Sequence, residues 1–403
     1  MDLLSLVSSS PASQALYDGH GDFVVEECLG AGLLYASIFK SKGGSYALIC
    51  SNQYAAQRLY EFLLNFLDEE SVIFFPADEL LRAESVSSSK ELLSQRLYGL
   101  GRLLTGGDKI LVTHPSALLR YLPDRESFRK ACIKIEKGGH YDLSKIKSRL
   151  VELGYEGANK VDHSLQFASR GDILDVYSVS YPDPIRIEFF DDEVESIRFF
   201  DVAEQESKKE AESCLILPSS DIFLDEAGLD ELKKELSRKE VEALNLLSEP
   251  LQQALRANID DAINKFEEHD YQPYLYKYFA MVSKPCSVLT YFSPRQVYFC
   301  NHQSCLEAID MLQEEANGYL TDLALSGECP FSINLYIPLE EAIDGKKAIY
   351  GSPFATKQGA YVFQAHKIAI TGKSLSSIVP SIQSYLSTGE KVVPVSYTHL
   401  TLP

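Results

Sequence analysis

Ala47-Leu48-Ile49-Cys50, Val72-Ile73-Phe74-Phe75 and Ile110-Leu111-Val112 are three short apolar runs, and the segments between them decide the fold. Gln53–Leu67 separates the first two and Lys90–Leu104 the second from the third, each with apolar residues recurring at helical spacing. Short runs without polar alternation suit strands buried on both faces, and helix-length connections bring the chain back in the same direction. The spacing predicts a parallel sheet covered by helices, an α/β scaffold.

After Pro123 the rhythm changes. Ile133–Glu136 reads as a strand and Asp142–Leu153 as a helix, followed by strand-like runs Gln166–Ala168, Ile173–Val179, Ile185–Phe190 and Val194–Phe200. Gly171, Pro182-Asp183-Pro184 and Asp191-Asp192 punctuate them as turns. A small, mostly antiparallel α+β insert is the expectation. From Asp221 onward Leu229–Leu236, Val241–Leu247 and Leu251–Phe266 read as helices, and Ser287–Thr290, Gln296–Cys300 and Ala348–Gly351 as strands rejoining the first sheet. The expected division is residues 1–122 and 206–370 for the two parts of one α/β domain, 123–205 for the insert, 371–395 for the start of a following domain, and 396–403 for a non-native tail.

With 403 residues the chain has room for about two or three domains of roughly 100–200 residues each. A net charge of −20 opposes non-specific attraction to nucleic acid. Between Arg120 and Arg170 basic residues outnumber acidic ones, which leaves duplex binding as a minor reading and a solvated helix face around Lys145–Arg149 as the plainer one. Eight cysteines occur without any Cys-x-x-Cys, and Cys300, His302 and Cys305 are badly spaced for a metal. No metal is expected, only reduced thiols. Met1-Asp2-Leu3-Leu4 lacks a basic leader region and no apolar run reaches the roughly 20 residues of a membrane span, so the expectation is a cytoplasmic protein with no membrane partner.

An ATP-binding strand-to-helix turn needs Gly-x-x-x-x-Gly-Lys-Ser/Thr, whose backbone N–H groups wrap the phosphates while lysine and hydroxyl reach phosphate and magnesium. At the corresponding place Leu29-Gly30-Ala31-Gly32-Leu33-Leu34 offers Gly30 and Gly32 for a tight turn but neither lysine nor hydroxyl. Thr371-Gly372-Lys373-Ser374 carries the second half of the motif, but its first glycine would have to stand at Lys367. Asp78-Glu79 suits the cap of a following helix better than magnesium. No catalytic group or cofactor site stands out, and no enzymatic activity is expected of this chain.

Within Ile185–Phe190 the period of two puts Ile185, Ile187 and Phe189 on one face and Arg186, Glu188 and Phe190 on the other. An outward arginine and aromatic ring are residue types that carry binding energy at interfaces. The plain alternative has Phe190 under a neighbouring loop and Arg186 paired with Glu188 or Glu195. Periodicity leaves both open.

Arg170-Gly171-Asp172-Ile173-Leu174-Asp175-Val176, then Arg186-Ile187-Glu188-Phe189-Phe190-Asp191-Asp192-Glu193-Val194 through Asp201, resembles the signature shared by UvrB and the bacterial transcription-repair coupling factors (Mfd). Phe75-Pro76-Ala77-Asp78-Glu79, Glu91–Leu97, Val112–Leu119 and Gly154-Tyr155 extend the resemblance over Leu29 to Asp201. UvrB keeps a working phosphate loop and a tyrosine-rich hairpin, which this sequence lacks, so the coupling factors are the nearer match.

The resemblance implies a RecA-like scaffold without a working phosphate loop, interrupted by a UvrA-binding insert whose contact positions here are Arg170, Arg186 and Phe190. It implies recruitment of UvrA to stalled RNA polymerase in nucleotide excision repair. The polymerase-binding module and the ATP- and magnesium-dependent duplex DNA translocase of the whole family lie outside this chain. The enzyme alternative is a fragment of a UvrB-like ATP-dependent repair protein. Ser396–Pro403, after the strand-like Lys391–Val395, resembles vector read-through.

Overall fold

The computed structural model describes residues 3–19, 22–25, 28–78, 90–243, 245–354, 360–363 and 379–388. Helices α1 (Leu3–Ser8) and α2 (Pro11–Asp18) lead into β1 (Phe23–Val25) and α3 (Cys28–Lys42). Then come β2 (Tyr46–Ile49), α4 (Gln53–Leu63), β3 (Val72–Phe75), α5 (Lys90–Leu104), β4 (Ile110–Thr113) and the single turn α6 (Pro115–Leu118). The helix expected to reach Leu67 stops at Leu63 because the Asn65 amide donates back to the carbonyls of Glu61 and Phe62.

The insert comprises α7 (Arg125–Ala131), β5 (Ile133–Glu136), α8 (Leu143–Glu152), β6 (Glu156–Gly157), β7 (Gln166–Arg170), β8 (Ile173–Val176), β9 (Ile185–Phe190), β10 (Glu193–Phe200), β11 (Ser207–Glu210) and β12 (Ser213–Ile216). The scaffold resumes with α9 (Glu226–Ala243), α10 (Glu249–Glu267), α11 (Tyr276–Val282), β13 (Gln296–Phe299), α12 (His302–Leu325), α13 (Leu339–Ile343), β14 (Ala348–Ser352), β15 (Tyr361–Phe363) and α14 (Val379–Ser387).

Seven strands in the order β15-β1-β14-β13-β2-β4-β3 form one sheet in which every neighbouring pair is parallel. Alternate residues serve two cores. Ala47 and Ile49 face the helices on one side, while Tyr46, Leu48 and Cys50 face α3 and α4 on the other, so the whole of β2 must be apolar. The expected RecA-like α/β scaffold is present, with the antiparallel insert between its two parts.

In the insert, β11-β10-β9-β8-β7 pair antiparallel, β6 adds a parallel edge, and β5 pairs with β12. Pairing by β11 and β12 carries the insert's strands past residue 205. The inner face of its sheet packs on α8 through Leu174, Ile187, Ile146 and Leu150, in a cluster separate from the two scaffold cores.

Three expectations fail. Val241–Leu247 is not a helix of its own: α9 runs on to Ala243, and residues 245–247 form a turn before α10. Ser287–Thr290 is not a strand: Val288–Thr290 forms a 3₁₀ turn, capped by the Ser287 hydroxyl on the Leu289 N–H while that hydroxyl donates to the Ala342 carbonyl. Gly30 and Gly32 form no turn and lie buried in α3. A β-carbon on Gly32 would stand 2.5 Å from Leu59 Cδ1 of α4, and one on Gly30 2.9 Å from Val25 Cγ1 of β1. These glycines let a helix lie close to its neighbours, and the phosphate cradle is replaced by packing.

Where the chain leaves the insert, Asp221 is buried between two arginines of the scaffold. Arg96 Nε of α5 donates to Asp221 Oδ2 at 2.9 Å, and Arg120 donates through Nε at 3.0 Å and Nη2 at 3.2 Å. Burial pushes the Asp221 carboxyl up, but the charges and hydrogen bonds of Arg120 and Arg96 outweigh it and hold it well below the usual carboxylate range. No helix among the described residues is long and apolar enough to cross a membrane. Glu79, Thr371–Ser374, the run Lys391–Val395 and the tail 396–403 lie outside the described residues.

Candidate docking surface

β9 follows its alternation: Ile185, Ile187 and Phe189 are buried, Arg186 and Glu188 half-buried, and Phe190 exposed. Cross-strand register extends this pattern over the sheet. Arg170, Ile173, Glu188 and Ser196 form one row, and Ala168, Asp175, Arg186 and Arg198 the next. Arg170, Arg186 and Phe190 therefore share the outer face.

Their circumstances differ. Phe190, with 75% of its surface exposed, stands at the end of β9 beside a turn whose Asp191 takes φ 59°. Desolvating such a ring is favourable only against another surface. Arg170 closes β7 at the Gly171 hairpin, where φ is +58° and glycine is the residue without strain. Its guanidinium donates to the Asn159 carbonyl at 2.9 Å and remains exposed.

Arg186 is committed inward. Its Nε and Nη2 donate to the two carboxylate oxygens of Asp175 at 2.8 and 2.7 Å, Nη2 reaches Gln205 Oε1 at 3.3 Å, and the guanidinium lies 4.5 Å from the centre of the Phe200 ring. The partner expected for Arg186 was Glu188 or Glu195. Register puts Asp175 directly opposite Arg186, and Glu188 is taken by the Ser196 hydroxyl at 2.7 Å and by Arg198. The Ser196 hydrogen bond and Arg198 hold Glu188 below the ordinary carboxylate range.

Charges in the middle of the face are thus satisfied within it. At its other end Val161 lies buried with Ala168 and Phe200, which leaves Arg170, Ile173, Glu188 and Phe190 as the accessible part. Sequence reasoning missed Asp175, Ser196 and Arg198, whose roles depend on strand register.

The basic stretch makes no comparable surface. Arg120 is bound to buried Asp221, and Arg129, Lys134 and Arg149 pair with Glu126, Glu136 and Glu152 at 2.6 to 2.9 Å. Elsewhere, the thiols of Cys28, Cys50 and Cys300 all lie within 4.8 Å of one another, a convergence that spacing along the chain did not signal.

Residues 133–222 match the family described as the UvrB interaction domain. The transcription-repair-coupling factor of Bacillus subtilis (strain 168) is 30% identical over 303 residues, 74% of this chain and 26% of that protein. The chain corresponds to the amino-terminal, UvrB-like region of the transcription-repair coupling factors. The coupling factor of Staphylococcus aureus (strain USA300) agrees, at 27% identity over 317 residues, 77% of this chain and 27% of the relative. The chain thus spans about a quarter of the length of these coupling factors. Its UvrB-interaction match begins at the first residue of β5 and ends beyond β12, so it takes in the whole six-stranded sheet and the outer face described above.

Proposed function

We propose that this chain is the cytoplasmic recruitment module of a transcription-repair coupling factor, docking UvrA through the outer face of its insert, and that it has no motor activity of its own. The observation that carries the proposal is Phe190, a large apolar ring left in solvent on the same face as Arg170, where the central charges Asp175, Arg186, Glu188 and Arg198 are paired among themselves. Recruitment of UvrA to stalled RNA polymerase in nucleotide excision repair, and duplex DNA translocation driven by ATP and magnesium, belong in this reading to the complete protein.

Phe190→Ala is expected to weaken binding of purified chain to UvrA by about 1–3 kcal/mol with an unchanged melting temperature, because the ring touches little in the free chain. Arg186→Ala should weaken binding and also lower the melting temperature, since it leaves half-buried Asp175 without its bidentate partner. Titration against immobilised UvrA, with thermal melts of the same samples, reads both effects. Unchanged affinity in both variants overturns the proposal.

The enzyme reading is a UvrB-like ATPase with an unorthodox nucleotide site at Gly30–Gly32 or at Gly372–Ser374, the latter outside the described residues. Calorimetric titration with ATP and magnesium is expected to give no binding heat, because Gly30 and Gly32 are packed against α4 and β1 and supply no cradle. Magnesium-dependent binding heat would favour the enzyme.

A further inference from the structure

We propose that Cys28, Cys50 and Cys300 form a zinc site at the carboxyl ends of the parallel strands, in the place where a nucleotide-binding sheet of this kind would hold phosphates. The proposal is independent of the docking surface.

Three separate features of the fold bring the thiols together. Cys50 follows β2 and Cys300 follows β13, neighbouring parallel strands whose last registered pair is Ile49 with Phe299. The Cys300 N–H donates to the Ile49 carbonyl at 2.9 Å, fixing the two cysteines side by side with their sulfurs 3.9 Å apart. Cys28 is the first residue of α3, just beyond β1, and its sulfur completes the triangle. Thiolates bound to one zinc at about 2.3 Å stand roughly 3.8 Å apart at the corners of a tetrahedron. The observed separation matches that edge, whereas a disulfide would need its sulfurs at about 2.05 Å.

Charge favours the same ion. Three thiolates and one zinc(II) leave a single negative charge, and the sulfurs sit at the amino-terminal ends of α3, α4 and α12, helices of 15, 11 and 24 residues. The N–H groups and dipoles of helix starts stabilise negative charge there. A copper(I) ion would leave the cluster one charge more negative among the same apolar neighbours. Cys50 and Cys300 are buried while Cys28 is half-buried, so three ligands come from the protein and the fourth tetrahedral position is left to water or a solvent-borne ligand. Binding displaces the thiol protons to solvent: three S–H bonds break, three Zn–S bonds form, and no electrons are transferred.

The buried Tyr298 hydroxyl, which has no hydrogen-bond partner among the described residues, belongs to the same core as Cys50 and Cys300. It lies against Gly351, where a side chain would strike it.

The test uses the whole chain, reduced and stripped with a chelator, then given zinc alone. One zinc per chain is expected by metal analysis, with Cys28, Cys50 and Cys300 protected from alkylation and Cys214, in the insert, reacting as it does without metal. Cys28→Ser should weaken zinc binding by at least about 100-fold, the scale on which even an outer-shell partner matters, while Cys214→Ser leaves it unchanged. Retention of no zinc by the unaltered chain, equal retention by Cys28→Ser, or protection of other cysteines instead would overturn the site. The alkylation pattern of the unaltered protein decides the matter even if a variant fails to fold.

Discussion

Asp221→Ala is expected to cost about 3–5 kcal/mol of stability, enough to unfold a large share of the molecules near body temperature. The carboxylate is 2% exposed and is the shared acceptor of Arg96, itself 4% exposed, and Arg120. Removing it leaves two positive charges close together with little solvent. Arg96 Nη1 already lacks a hydrogen-bond partner, and its nearest other carboxylate oxygen, on Asp78, stands 4.0 Å away. Among the described residues Arg120 keeps only the face of Tyr276, 3.9 Å from its guanidinium carbon. Neither contact replaces a carboxylate.

The same cluster fixes a sign for pH. Asp221 titrates lower in the folded chain than in the unfolded one, so its stabilising contribution is complete above the unfolded value of about 4 and is lost as pH falls through the folded value. Denaturant titrations from pH 7 down to pH 3 should show a stability gap between the unaltered chain and Asp221→Ala that is widest at neutral pH and narrows in acid. A gap under about 1 kcal/mol at pH 7 would mean that the arginines find other partners.

Much of this arrangement is legible in sequence, and the parts that are not share a cause. Val72–Phe75 and Ile110–Thr113 are readable because a strand buried on both faces has to be apolar throughout. Ile185–Phe190 is readable because one buried face imposes a period of two. Val288 and Leu289 are equally apolar and were misleading, since a two-residue apolar run fits a 3₁₀ turn as well as a strand. Gly30 and Gly32 looked like turn residues because glycine marks both tight turns and close helix packing, and only the distance to Leu59 separates the two.

The functional surface divides in the same way. Which residues of β9 face outward follows from alternation, but what Arg186 bonds to depends on the alignment of β8 against β9. Nothing local in the sequence specifies that alignment. Cys28, Cys50 and Cys300 are further out of reach, because a sheet with strand order β1-β14-β13-β2 joins segments separated by most of the chain.

Ile187→Ala is expected to unfold the insert while the scaffold stays folded, at a cost of about 2–5 kcal/mol. Ile187 is fully buried at the centre of the insert's own cluster, on the strand that pairs with both β8 and β10. The cavity it leaves would be lined by residues of that cluster, which meets the scaffold core at a boundary where Phe223 packs against both and the Tyr155 hydroxyl donates to the Leu217 carbonyl. Hydrogen exchange should therefore quicken at the amides of β8, β9 and β10 and stay slow in β2 and β4. Equal acceleration in both sheets would show that insert and scaffold fold as one unit. In the UvrA assay this variant and Phe190→Ala should both bind less, for opposite reasons: one keeps the ring but loses the sheet that presents it, and the other keeps the sheet but loses the ring. Only Ile187→Ala should regain affinity on cooling to the temperature at which its insert refolds, and that difference separates a docking residue from one that supports it.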